Sequence, residues 1–472
     1  MEQCLGQPMS WGATGLGKLW DYNLHYFEWL WGLQFEDAKN AIFHWIDKHP
    51  FSRNSVGWES YPISLRLMNW LGYWGTVGRW YFEADNFLQE KIWHSVFSQC
   101  DWLVRHLEKH LLGNHYFENA VALWIVGSFY EHPSAAKWKS LGSEILNEQL
   151  NEQMLYDGMH FERSPMYHSR FVYTLSWLTE IDEALGQFSF GFRDWYTKAI
   201  DAAGSVSHPD GKIALFNDSA FDIYPEVECQ AQPEGAFSLH DAGYYGFRSS
   251  EQDYIIIDAG RVGPDYIPGH AHCDVLSFEL SINGNRFITD SGVYNYEVCD
   301  SRHYSRSTAA HNTFGPVDHE QAEIWSAFRV GGRPNVEVSD WSPSSGYGFT
   351  LKARHDGFER RQCSYARHAR RFVFSSDGKL LIEEHFSADD TLEWEGRIHF
   401  DPSVTLVEQA KDELFFESHS ARMRLAVRGV ERISMRKTPY FPKFNVKVER
   451  NCFTYFCKAK QGVIQVSMDW GI

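Results

Sequence analysis

The sequence predicts an α+β chain in two parts, packed helical hairpins followed by antiparallel strands of sandwich type. The apolar spacing is helical from the start to about residue 205. Beyond about residue 240 it alternates with period two. Between them Asn217–Leu239, with Pro225, Pro233 and Gly235, reads as a junction. At 472 residues the chain has room for two domains, or three.

In the first part, Ala38, Ala41, Ile42, Trp45 and Ile46 share one helical face, and the segment stops at His49-Pro50, as proline requires. Leu88, Ile92, Val96, Leu103 and Leu107 mark a longer helix closed near Gly113. A third runs from about Ala135 through Met154. A fourth, Ser169 to Leu185, carries Phe171, Leu175, Leu178 and Ile181. With no strand pattern between them, these helices pack as hairpins. In the second part, Leu276, Phe278, Leu280 and Ile282 alternate with Val275, Ser277, Glu279 and Ser281. Asn283-Gly284 then turns the chain into Arg286–Thr289. A second hairpin joins Arg371–Phe374 to Leu380–Ile382 through Asp377-Gly378. Phe444 to Val448 and Val463 to Met468 read as further strands. No helical pattern separates them, so the sheet is expected to be antiparallel.

Composition excludes several functions. The net charge is −18, from 44 basic and 62 acidic residues, which argues against nonspecific nucleic-acid binding. It leaves open a polyanion gripped by a local arginine cluster. No apolar run reaches the roughly 18–20 residues that span a bilayer, so no integral helical membrane segment is expected. The 19 Trp, 23 Tyr and 34 Phe suit either sugar-ring stacking or an aromatic core. The eight cysteines are scattered with no CxxC pair and read as reduced thiols. The N-terminus lacks a basic start and apolar core, so a cytoplasmic location is expected, or a periplasmic or secreted one if a leader was removed.

Four polar clusters carry the chemistry. Gly269–Asp274 contains His270 and His272, which point the same way in extended backbone. The Asn283-Gly284 hairpin returns Asp290 towards His272, and His311 follows. Two or three histidines with one carboxylate suit a divalent ion, zinc favoured by imidazole. The second cluster, Gly113–Asn119, reads as a loop after a helix end; Asn114, His115 and Glu118 can bond or neutralise a carboxylate there, or merely cap backbone. In the third, Asp157–His168, Pro165 starts a new helix and puts Tyr167 in its first turn, where Arg163 and Arg170 would favour phenolate. The fourth, Ser301–Ser307, reads as a loop whose Arg302 and Arg306 can grip carboxylate or sulfate.

Read together, these strings resemble the heparinase II/III-like family of polysaccharide lyases, which includes heparinase III and related alginate lyases. The resemblance rests on Asn114–Asn119, Arg163–His168, Gly269–Asp274, Thr289–Gly292 and Ala309–Thr313, with Leu19–Phe27 and Trp58–Pro62 resembling its helical domain. It implies an incomplete α/α toroid over residues 1–228 and an antiparallel β-sandwich over 229–472. It also implies roles: Tyr167 as general acid, and in some members base; His270 as catalytic histidine; Asn114 and His115 as neutralisers of a uronate carboxylate or movers of its proton. Glu118, Arg163, Arg170, Arg302, Arg306, Trp58 and Tyr61 are expected to contact substrate. His272, Asp290 and His311 match the metal ligands, usually zinc, so the family uses only the second histidine of the pair for metal. Cys273 is expected to point away from His272.

The implied reaction is β-elimination on an acidic polysaccharide or oligosaccharide. The C5 proton beside a uronate carboxylate is weakly acidic until that carboxylate is neutralised. A positioned acid and base then expel the O4 leaving group and form a 4,5-unsaturated uronate. A uronyl C5-epimerase uses the same site without cleavage. A catalytically inactive polysaccharide-binding protein is a rival of another class. Glycoside hydrolysis would need two facing carboxylates, for which Glu118, Asp157 and Glu162 are the candidates.

Overall fold

The computed structural model describes residues 10–12, 17–186, 191–224, 232–344, 346–359, 365–410, 413–419 and 421–471. Pro225, Cys4, Cys229 and Cys363 lie outside the described residues. The chain forms two compact units, Met1–Gln153 with Glu180–Phe190, and Met154–Thr179 with Gly191–Ile472.

The first unit is helical. Its helices include Lys18–Tyr26, Phe35–Lys48, Ser60–Gly75, Asn86–Arg105, Gly113–Phe129 and Ala135–Gln153. The expected breaks have local causes. Phe35–Lys48 ends just before Pro50, and the Asp85 side chain caps Asn86–Arg105 by accepting from Leu88 N at 3.0 Å. Gly113 does not close that helix; it opens the next. Trp45, Trp58, Trp70, Trp74 and Trp138 are buried in one cluster with Ile42, Leu67, Ile92, Val96 and Leu123. Much of the tryptophan here is therefore core, which accounts for part of the aromatic excess without sugar stacking.

The second unit is built on two antiparallel sheets. Gly235–Leu239, Tyr244–Arg248, Tyr254–Asp258, Phe278–Ile282 and Asn285–Ile288 form a five-stranded meander in chain order. A ten-stranded sheet is centred on the long strands Lys379–His399 and Val448–Asp469. Phe247, Ile255, Phe278 and Leu280 of the first share a core with Phe349, Phe372, Phe374, Ile382 and Val466 of the second. This is the sandwich the alternation predicts. Both hairpins form: Asn283 (φ 50°) and Gly284 (φ 79°) take the left-handed turn that matches strand twist, and Phe372 faces Ile382.

Two expectations change. Phe444–Val448 is not a strand; pairing begins at Val448, after a turn in which Asn445 is left-handed. Ser301–Arg306 is not a loop but part of the helix Asp300–Arg306. Residues 154–179 and 191–224 fall in the second compact unit. Their Met159, Ala202, Val206, Ala214 and Phe216 bury against Leu239, Tyr244, Tyr254 and Ile256.

Candidate active site

In the second unit, Ser164 starts the helix Pro165–Ala184 by accepting from Tyr167 N at 3.2 Å. That places Tyr167 in the first turn. Its ring lies against the His270 imidazole, with centroids 3.9 Å apart, and its hydroxyl is 3.0 Å from that of Tyr296. Tyr167 and His270, 103 positions apart in sequence, thus meet. The expected phenolate does not form. Burial, then the neighbouring Tyr296, raises the Tyr167 hydroxyl well above its ordinary value. Arg163 gives no help, because its guanidinium is spent on the carbonyls of Phe161, Asp241, Ala242 and Gly263.

Behind His270 stands Asp218, a residue not singled out in the sequence. Its Oδ2 is 2.8 Å from His270 Nδ1 and its Oδ1 is 2.8 Å from His272 Nε2. Arg302 donates to both oxygens, to Oδ2 at 2.9 Å. Burial alone would raise the Asp218 carboxyl, but Arg302 and the two histidines hold it well below its ordinary range. Glu162 Oε2 lies 3.5 Å from His270 Nε2.

His272, Asp274 and His311 are buried, and each offers a ligand atom within 4.8 Å of the others. His272 Nδ1 and His311 Nε2 are buried without a hydrogen-bond partner, which a bound cation would remedy. Burial pushes Asp274 up to about 6, so a cation would also favour its ionised form. The donor set therefore fits a divalent ion. Asp290, expected as the carboxylate ligand, has both oxygens 2.9 Å from His311 Nδ1. That is the orienting position behind a metal-bound histidine. The expected alternation fails here because Ser277 N turns back onto Asp274 O at 2.9 Å and Leu276 has φ 63°. The strand begins only at Phe278. Cys273 is buried in the sandwich core, with Ala322 N donating to its sulfur at 3.3 Å, clear of the cluster as expected.

The arginines expected to grip substrate are engaged within the protein. Besides Arg163 and Arg302, Arg306 donates to the carbonyls of Ala271, Ser326 and Ala327. Arg170 is buried over the rings of Tyr173 and Tyr224. Short sequence spacing cannot separate an arginine that tethers loops from one that faces a ligand.

In the first unit, Asn114 and His115 occupy the first turn of Gly113–Phe129. Tyr61 lies against the His115 ring at 4.3 Å, and Asn114 Nδ2 donates to its hydroxyl at 3.5 Å. His115 Nδ1 is 3.1 Å from Glu108 Oε1. Glu118 is only 1% exposed. Trp58 is a core residue, packed at 5.9 Å from Trp45. The sequence missed Glu108, Asp218, Asp274 and Tyr296, and it named Glu162 only as a carboxylate for hydrolysis. Asp274 stood in the quoted Gly269–Asp274 string, and Asn217-Asp218-Ser219 was a polar step after apolar residues; Tyr296 had no signal.

With this geometry established, comparison with known proteins places the chain. The Heparinase II/III N-terminus model matches residues 26–228, and the Heparinase II/III-like, C-terminal model matches residues 231–464. The chain belongs to the heparinase II/III-like family. Similar curated proteins include the heparin-sulfate lyase of Pedobacter heparinus, 28% identical over 279 residues, covering 51% of this chain and 41% of the relative. The heparin-sulfate lyase of Bacteroides thetaiotaomicron is 26% identical over 330 residues, covering 57% and 46%. The chain thus spans less than half the length of these curated relatives. Among solved structures, a heparinase III aligns over 100% of this chain and 80% of its own, with TM-score 0.78 and 17% identity. The heparan sulfate lyase HepC of Pedobacter heparinus aligns over 98% and 78%, with TM-score 0.68 and 18% identity. Both share the fold of a helical part followed by antiparallel sheets. Among the described residues, no helix is long and apolar enough to cross a membrane.

Proposed function

We propose that the chain is a polysaccharide lyase that cleaves a uronic-acid-containing chain by β-elimination. The observation that carries this reading is the stacked pair Tyr167–His270, a neutral phenol 3.9 Å from an imidazole backed by Asp218. Asp218 accepts from Nδ1–H and so leaves Nε2 of His270 as the basic nitrogen. In this mechanism that nitrogen removes the C5 proton, and Glu162 and Asp218 balance the imidazolium that results. Tyr167, kept protonated by its burial, delivers its proton to the departing O4 oxygen. Tyr296, its hydroxyl 3.0 Å from that of Tyr167 and its ring beside His270, is placed to relay the proton taken by His270 back to Tyr167, which restores both groups. Asn114 and His115, which the family resemblance assigns to the uronate carboxylate, lie in the first unit, and neutralising that carboxylate would lower the barrier to an enolate-like transition state.

The substrate is proposed from the names of the curated relatives, heparin-sulfate lyases, as a glycosaminoglycan or another uronate polymer. The ion held by His272, Asp274 and His311 is proposed to be zinc, on the preference of imidazole. It would supply charge that fixes the loop carrying His270, while Asp218 transmits that position through the two histidines. Glycoside hydrolysis loses a candidate, since Asp157 accepts from the backbone of Asp241 and Ala242 at 2.8 Å.

The test is a panel of uronate polymers, heparan-type, alginate and bacterial exopolysaccharide. Turnover is read by the ultraviolet absorbance of the unsaturated product and by deuterium uptake at C5. Absorbance from at least one polymer supports the lyase. Deuterium uptake without absorbance replaces it with an epimerase, and neither signal with any polymer removes the reading.

A further inference from the structure

Among the described residues, the imidazole of His115 meets two groups. Tyr61 covers one face, and the Glu108 carboxylate stands 3.1 Å from Nδ1. A carboxylate only accepts, so Nδ1 carries the proton and Nε2 is the free nitrogen. The His115 side chain is 28% exposed and that of Glu108 is 10%. Glu108 is itself held fast. Its N–H donates to Asn119 Oδ1 at 2.9 Å, and its second oxygen accepts from Asn119 Nδ2 at 3.0 Å. Asn119 is wholly buried and also donates to Ser64 Oγ at 3.0 Å. It lies one helical turn beyond His115, so the same helix presents the imidazole and anchors its partner.

Glu108 also folds the corner before that helix. Its carbonyl accepts from Leu111 N at 3.0 Å and Leu112 N at 3.1 Å. Leu112 then takes φ 58°, ψ −156°, a region almost reserved for glycine. Such a strained corner persists only where its surroundings over-determine it.

We propose that Glu108 is a positioning residue, which fixes the tautomer and orientation of His115 and balances the imidazolium form when that form donates from Nε2–H to a substrate carboxylate. The inference deepens the lyase reading and rests on it for its catalytic meaning; the His115–Glu108 pair does not. The test uses the full chain labelled with 15N-histidine. The His115 signal is identified by its loss in His115→Gln. In the unsubstituted protein, neutral His115 should be in the Nδ1–H form. In Glu108→Ala it should revert to the Nε2–H form of free imidazole. With a polymer that is turned over, kcat should fall about 10²-fold, with KM within about twofold. Glu108→Asp, which withdraws the carboxylate by one methylene and keeps its charge, should show the same reversal and serves if the alanine variant does not fold. An Nδ1–H signature that survives both substitutions, or an unchanged kcat, overturns the proposal. If no polymer is turned over, the lyase reading fails while the tautomer measurement still decides the role of Glu108.

Discussion

The rings of Tyr167 and His270 lie 3.9 Å apart at an interplanar angle of 31°. One comes from a helix start and the other from a short turn before the Phe278–Ile282 strand. The pairing puts a proton donor and a proton acceptor side by side. Tyr167→Phe should therefore lower turnover by at least about 10²-fold. Its melting temperature should change little, because the ring packing is kept. An active phenylalanine variant would remove Tyr167 as the acid.

The metal cluster predicts a division between ligand and orienting carboxylate. Metal analysis of purified protein should find about one divalent ion per chain. Asp274→Asn and His272→Ala should each abolish tight binding. Asp290→Asn should weaken it only about 10–100-fold, the scale for a group behind a ligand. Abolished binding in Asp290→Asn with full occupancy in Asp274→Asn would reverse the two assignments.

Acid should unfold the sandwich through Glu384. This carboxylate is buried and accepts from Arg370, at 2.9 Å and 2.6 Å, and from the Tyr455 hydroxyl at 2.6 Å. His368 Nε2 lies 2.9 Å away. Burial alone would raise its carboxyl, but Arg370 and His368 prevail and hold it at about 2 against an ordinary 4.5. A depressed carboxyl stabilises the fold above its unfolded value, and that contribution is lost as pH falls towards the folded value. Thermal melts should therefore drop between about pH 4.5 and 2. Glu384→Gln should melt lower at neutral pH and flatten that slope; parallel slopes in the two proteins would refute the assignment.

Gly142 tests the packing that supports Asn114 and His115. A Cβ there would sit 2.8 Å from both Ala120 O and Trp124 N of the neighbouring helix. Alanine is the better helix former, yet Gly142→Ala should destabilise the protein by about 1–3 kcal/mol, because backbone must move to admit the methyl group. Denaturant unfolding measures it, and a stabilised variant would show that the helices separate freely.

The division into helices and strands was legible because it depends on short-range periodicity. The face of Phe35–Lys48, its stop before Pro50 and the Asn283-Gly284 hairpin are local consequences of side-chain spacing and turn chemistry. The strings holding Tyr167, His270, His272 and His311 were legible too, since polar residues clustered in an apolar chain stand out. What the sequence by itself determined was therefore the order of elements and the residue types available for chemistry. Only the tertiary structure decided their employment. Arg302 faces Asp218 across 84 positions, and Arg163 reaches Gly263 across 100. Neither partner is marked by spacing along the chain. Asp274 has a ligand atom within 4.8 Å of those of His272 and His311 while Asp290 bonds His311 Nδ1, a choice between two carboxylates that spacing along the chain does not make. Hydrogen bonds and burial act through space, so whether a charged side chain meets a ligand or a carbonyl is settled only when distant segments pack.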